Sequence, residues 1–139
     1  MDLILWRHAE ALEPAEAKDD LARALTAKGE RQAQRMAEWL NQRMAHTTQI
    51  LVSPALRCQQ TAKALGKKFK TSPELAPDGS EPVLVIGHQP TLGLVASFLL
   101  TETPQPWTIK KGAVWWIRGR QREGESQVVL QAVQAPDCL

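Results

Sequence analysis

The tripeptide Trp6-Arg7-His8 closes the apolar run Leu3-Ile4-Leu5, so a short buried strand ends on a guanidinium beside an imidazole. That pairing suits a phosphoryl group: guanidinium binds two phosphate oxygens side by side, and a neutral ring nitrogen can attack phosphorus. Taken alone, an Arg-His pair at a strand end also reads as an ordinary surface pair. The layout recurs twice. Ile50-Leu51-Val52 is a second short strand, followed by Ser53 as N-cap and Pro54 as first helical position, with Arg57 in the first turn. There the helix dipole and free backbone N–H groups already favour an anion. Val83-Leu84-Val85-Ile86 is a third strand, ending at Gly87-His88 and followed by a helix that Pro90 starts.

Singly, Arg57 reads equally as a solvated arginine and His88 as a satisfied core histidine. In an open α/β sheet, however, ligands bind outside the carboxyl ends of the strands, where the strand order switches. The expectation is therefore that Arg7, His8, Arg57 and His88 converge on one anion.

These motifs resemble those of a known family. Arg7-His8, Ser53-Pro54-x-x-Arg57 and Gly87-His88 are similar to the signature of the histidine phosphatase superfamily, the phosphoglycerate mutase-like fold. The short length looks most like its SixA-type phosphohistidine phosphatases. Arg23-Ala24-Leu25-Thr26-x-x-Gly29 resembles the stretch before the family's first helix, and Val85 to Pro90 its last catalytic strand and turn. The resemblance covers roughly Leu3 to Leu100. It implies that His8 is the phosphate-accepting nucleophile and that Arg7, Arg57 and His88 bind the phosphoryl oxygens.

Two departures stand out. Ala9 follows Arg7-His8 where many members have glycine, which is tolerable if the backbone there keeps φ negative. The connection around 76–82 is unusually short for a crossover between parallel strands, so residues are expected to be missing there, by deletion or omission. In the family this connection holds a helix, and in several branches an acid that protonates the leaving group. Glu74 and Glu81 are the nearest carboxylates; both read as exposed loop residues and neither is assigned a catalytic role. A phosphoester leaves as an alkoxide and wants a general acid, whereas a phosphohistidine leaves as an imidazole that can already carry a proton.

The elements that position these residues follow from spacing. Thr26 caps a helix with Ala33, Met36, Ala37, Leu40 and Met44 on one face, and Gly29 lies in its first turn. Leu56, Ala64 and Leu65 give the next helix its core face, and Leu94, Val95, Phe98 and Leu99 mark a third. Ala113–Ile117 and Val128–Val133 read as two strands joined across 119–126 in an antiparallel edge hairpin. Trp115 and Trp116 must face opposite sides of it, as packing or as a platform for a partner. Glu10 to Asp20 reads as a surface loop at the rim of the pocket. The fold expected is a single α/β domain over residues 1–139: a three-layer sandwich with a mainly parallel central sheet, helices on both faces and an antiparallel edge.

Composition agrees with a small enzyme. At 139 residues the chain is long enough for one core, and a formal charge of +2 with no dense basic stripe argues against nucleic acid. Lys67-Lys68 and Lys110-Lys111 read as solvated pairs or as steering for an acidic partner. No membrane-spanning run or signal peptide is expected, since Arg7 interrupts the first apolar stretch. Two cysteines make no disulfide framework, which points to a reducing, cytoplasmic setting; Cys58 reads as a buried inert thiol or one near the pocket. No cofactor or metal is expected, because no carboxylate cluster or Cys/His ligand spacing occurs.

The function expected is removal of phosphate from a phosphohistidine-bearing protein, such as a phosphotransfer domain, releasing inorganic phosphate. Two alternatives stay open: a small-molecule phosphomonoesterase of the same fold, and a non-catalytic phosphate- or phosphohistidine-binding module.

Overall fold

A computed structural model describes residues 1–75 and 82–139. Six strands form one sheet: β1 (Asp2–Arg7), β2 (Gln49–Val52), β3 (Lys70–Thr71), β4 (Val83–Gly87), β5 (Val114–Arg122) and β6 (Glu125–Gln134), in the order β3-β2-β4-β1-β5-β6. The first four run parallel, and β5 and β6 are antiparallel to their neighbours. Three helices complete the frame: α1 (Ala27–Asn41), α2 (Leu56–Lys63) and α3 (Thr91–Thr101). The α/β expectation, with its parallel centre and antiparallel edge, matches this architecture.

Side-chain alternation divides the core. Ile4 and Trp6 of β1, with Ile50, Val52, Leu84 and Ile86, face Met36, Leu40, Cys58 and Ala62 of α1 and α2. Leu5, Leu51, Val83 and Val85 face the other way, against Leu92 and Ala96 of α3. Trp115 and Trp116 split as strand geometry demands. Trp116 is buried on the α1 side, edge-on to Trp39, and Trp115 is half-buried on the α3 side beside Trp107.

Several boundaries differ from the sequence reading. Helix α2 begins at Leu56 behind Ala55, not at Pro54 behind Ser53; Ser53 is buried, and its hydroxyl accepts from the Ala55 amide at 3.4 Å. Its core face is Cys58, Thr61 and Ala62, while Leu56 is 36% exposed. Pro90 stands before α3 rather than inside it, and the buried positions are Leu92, Gly93, Ala96 and Ser97, with Phe98 53% exposed. An α3 apolar on nearly every side gives spacing no single face to report. The hairpin turn is tighter than 119–126: β5 and β6 extend to Glu123-Gly124, which both take positive φ as a two-residue turn requires. Strand β3 has only two residues and escaped the periodicity reading altogether. The connection expected to be short leads from β3 to β4, but 76–81, with Glu81, lies outside the described residues. No helix among the described residues is long and apolar enough to cross a membrane.

Candidate active site

The three parallel strand ends deliver their residues to one place. The His8 amide donates to the Gly87 carbonyl at 3.0 Å, and the Ser53 amide donates to the Ile86 carbonyl at 3.0 Å. The ends of β1, β2 and β4 are thereby laced together, and His8 stands with its ring centroid 6.5 Å from that of His88. Arg57 enters from the first turn of α2, and its Nη2 donates to His88 Nδ1 at 3.1 Å. Arg7 leans to the α3 side, where Nη1 donates to the Ile109 carbonyl at 2.6 Å. His8, Arg57 and His88 thus meet at one place, and the Arg7 charge acts on the His8 ring from the neighbouring strand position.

Hydrogen bonding sets the two imidazoles in opposite tautomers. His8 Nδ1 lies 2.7 Å from the Ala9 carbonyl, which can only accept, so Nδ1 carries the proton and Nε2 keeps its lone pair. His88 Nδ1 faces a guanidinium, which can only donate, so in neutral His88 the proton sits on Nε2. One ring thus presents a lone pair and the other an N–H. His8 is 5% exposed, and burial pushes its pKa down to about 4, with the charges of Arg57, Arg7 and His88 acting the same way against the Ala9 hydrogen bond. Burial followed by the Arg57 charge also holds His88 below the ordinary imidazole value. Both rings are thus neutral near pH 7.

The arginines carry unspent donors. Arg57 is 4% exposed, yet among the described residues its Nε has no hydrogen-bond partner, and neither does the buried Nε of Arg7. Buried guanidinium N–H groups without acceptors are costly, and such a donor is free to take an anion's oxygen. Burial also lowers the pKa of the half-buried Arg7.

Ala9, the departure from the common glycine, fits without strain. It is fully buried, it is not among the residues with positive φ, and its amide donates to Thr61 Oγ1 at 3.1 Å. Thr61 in turn donates to the Arg57 carbonyl at 2.7 Å, so the loop after His8 is tied to the helix that brings Arg57. The segment from Glu10 to Leu25 is pinned at several points. The Glu10 amide donates to Gln32 of α1 and the Leu25 amide to Gln60 of α2.

This pinned segment supplies contacts that sequence reasoning missed. The Asp20 carbonyl accepts from Arg57 Nη1 at 2.8 Å, and its carboxylate lies 3.3 Å from Arg57 Nη2 and 3.1 Å from Arg23. Asp20 therefore bridges two arginines at the rim, and chiefly the Arg57 charge holds its carboxyl below the usual range. The only signal in the chain was the proximity of an acid-rich stretch to His8. Cys58 sits in the core with its thiol pushed up to about 11 by burial, the inert reading of the two. Glu74 lies at the lip of an apolar cavity that reaches His88.

Comparison with known proteins agrees with this geometry. The profile of the histidine phosphatase superfamily (branch 1) matches residues 3–81. The chain is 32% identical over 131 positions to the phosphohistidine phosphatase SixA of Escherichia coli (strain K12), covering 78% of this chain and 80% of that one. A solved structure of the protein histidine phosphatase SixA complexed with tungstate superposes with a TM-score of 0.76 at 26% identity, covering 99% of both chains. The crystal structure of the putative phosphohistidine phosphatase SixA from Agrobacterium tumefaciens reaches a TM-score of 0.78 at 23% identity over 97% of both chains and shares the fold. With the motif residues gathered at three strand ends and the profile matched over more than half its length, the chain belongs to the histidine phosphatase superfamily.

Proposed function

We propose that this protein is a phosphohistidine phosphatase that works through a phospho-His8 intermediate. The observation that carries the reading is a buried, neutral His8 whose Nε2 keeps its lone pair and whose ring feels the charges of Arg57 and Arg7, two arginines with unspent donors among the described residues. His8 Nε2 attacks phosphorus in line, the N–P bond to the substrate's imidazole breaks, and that ring leaves neutral if its other nitrogen already holds a proton. The phosphorylated His8 ring is then cationic, and its Nδ1–H toward the Ala9 carbonyl supports the charge. Arg7 and Arg57 bind the equatorial oxygens, and His88 donates from Nε2. Water next attacks phosphorus, His8 departs with its lone pair restored, and inorganic phosphate is released as the water proton passes to solvent.

The similarity to SixA proteins supports phosphohistidine on a protein as the substrate, a phosphotransfer domain being the expected kind. A pure binding module needs the arginines but has no use for a dry, unprotonated imidazole among them. The test is phosphate release from a histidine-phosphorylated carrier protein beside an aryl phosphate ester, with His8→Ala as blank. Fast release from the carrier, slow ester turnover and a dead variant are expected. Fast ester turnover would move the assignment to a phosphomonoesterase. Phosphate binding with no turnover of either substrate would move it to a binding module.

A further inference from the structure

On the α3 side of the sheet, a cavity of about 280 Å³ opens next to the catalytic cluster. Its floor is Leu5, Val85, Leu92 and Val95, and its wall includes Ser53 and His88, two of the residues at the converging strand ends. Helix α3 accounts for the apolar surface. It spends Leu92 and Ala96 on the sheet, leaving Val95 and Leu99 half-buried and Phe98 53% exposed. Among the described residues, no second helix stands beside it on that face. A helix apolar on nearly every side is ordinarily covered, and a patch of this kind beside an active site marks a surface for a partner.

We infer that this cavity docks an apolar side chain flanking the phosphohistidine of the protein substrate. The inference rests on the phosphatase reading above. The occupant follows from continuity: His88 belongs both to the catalytic cluster and to the cavity wall. A phosphohistidine at the cluster carries its neighbours with it, and those on the same face of a helix or strand lie roughly 5–6 Å away, at the mouth of the cavity. Glu74 is the one formally charged side chain lining it among the described residues, which disfavours an acidic neighbour and suits an apolar one. The pocket thereby adds recognition of the protein to recognition of the phosphoryl group.

The experiment compares kcat/KM on a chemically phosphorylated histidine phosphotransfer domain with that on free phosphohistidine. The wild type, Val95→Lys in the cavity and Thr91→Trp at its exposed lip are measured on both. Burying one aliphatic side chain corresponds to about a tenfold change or more. The wild type is expected to favour the protein by at least that factor, and both variants to lose the preference while free phosphohistidine turnover changes less than about twofold. Thr91→Trp plugs the lip without burying a charge, so it decides the matter if Val95→Lys fails to fold. An unchanged preference in a folded variant, or no preference in the wild type, would overturn the inference. Equal loss on both substrates would show that the cavity serves the fold and overturn it as well. A wild-type dimer in sedimentation that Val95→Lys dissociates would give the cavity to a second copy instead. A wild type inactive on both substrates would bring down the phosphatase reading itself, and this inference with it.

Discussion

At the scale of single residues, the chemistry depends on which groups are charged. His8, with its pKa at about 4 against an ordinary 6.5, stays neutral through the whole physiological range. The acid limb of kcat/KM for phosphorylation of His8 is therefore expected near pH 4; a limb at 6 to 7 in rapid-quench measurements would contradict the assignment. The same depression has a sign for stability. The unfolded chain binds more protons here, so the His8 contribution is fully present above pH 6.5 and is lost as pH falls through about 4. His8→Asn removes that dependence and is expected to flatten the stability profile in this window. Arg57→Ala takes away a buried donor set and is expected to lower kcat on phosphohistidine by about 10²–10³, with Arg57→Lys only partly restoring it. Cys58, fully buried with its thiol near 11, is expected to resist alkylation at pH 8 while exposed Cys138 reacts. Mass spectrometry showing one adduct on the native protein and two after denaturation checks this.

At the scale of elements, the motif-bearing strands were legible because three short runs of β-formers end in polar residues of one chemistry. Thr26 was legible as a cap for the same reason, and its hydroxyl does accept from the Gly29 amide at 3.0 Å. The reason for Gly29 was not legible. A Cβ there would collide with the backbone carbonyl of Glu10, so glycine lets the loop after His8 pass against α1. Gly29→Ala is expected to cost about 1–3 kcal/mol, as overpacking does. Because the displaced loop carries Asp20, activity is expected to fall along with Tm. Urea unfolding alongside kcat measures both, and loss of stability with full activity would show that the loop moves without disturbing Arg57. The faces of α2 and α3 were legible only in part, for opposite reasons: Ala64, Leu65, Val95 and Leu99 do pack on the core, whereas Leu56 and Phe98 stay exposed. In α2 the core side includes Arg57 and Thr61, polar residues that apolar spacing cannot flag. In α3 nearly every position is apolar, so Phe98 counted toward a core face that it does not join. The rim position of the stretch ending at Asp20 was legible, but its pairing with Arg57 was not, since the two lie 37 positions apart and no periodicity links a loop to a helix start.

At the scale of the whole molecule, the strand order places β1 in the sheet's interior, between parallel β4 and antiparallel β5. His8, the nucleophile of the proposed mechanism, inherits both connections. The His8 amide bonds to Gly87 on one side, the Gly112 amide donates to the His8 carbonyl at 2.9 Å, and the Arg7 amide reaches the Ala113 carbonyl at 3.0 Å. The Asp20 segment, by contrast, clamps Arg57 from an exposed rim. His8 is thus anchored at the seam of the sheet, and Arg57 is held from its margin. Hydrogen–deuterium exchange gives this a measurable form. The amide of His8 is expected to exchange only on global unfolding, whereas amides around Asp20 exchange through local opening many times more often. The reactive nitrogen then keeps its aim for as long as the protein remains folded, and thermal inactivation coincides with the melt instead of preceding it.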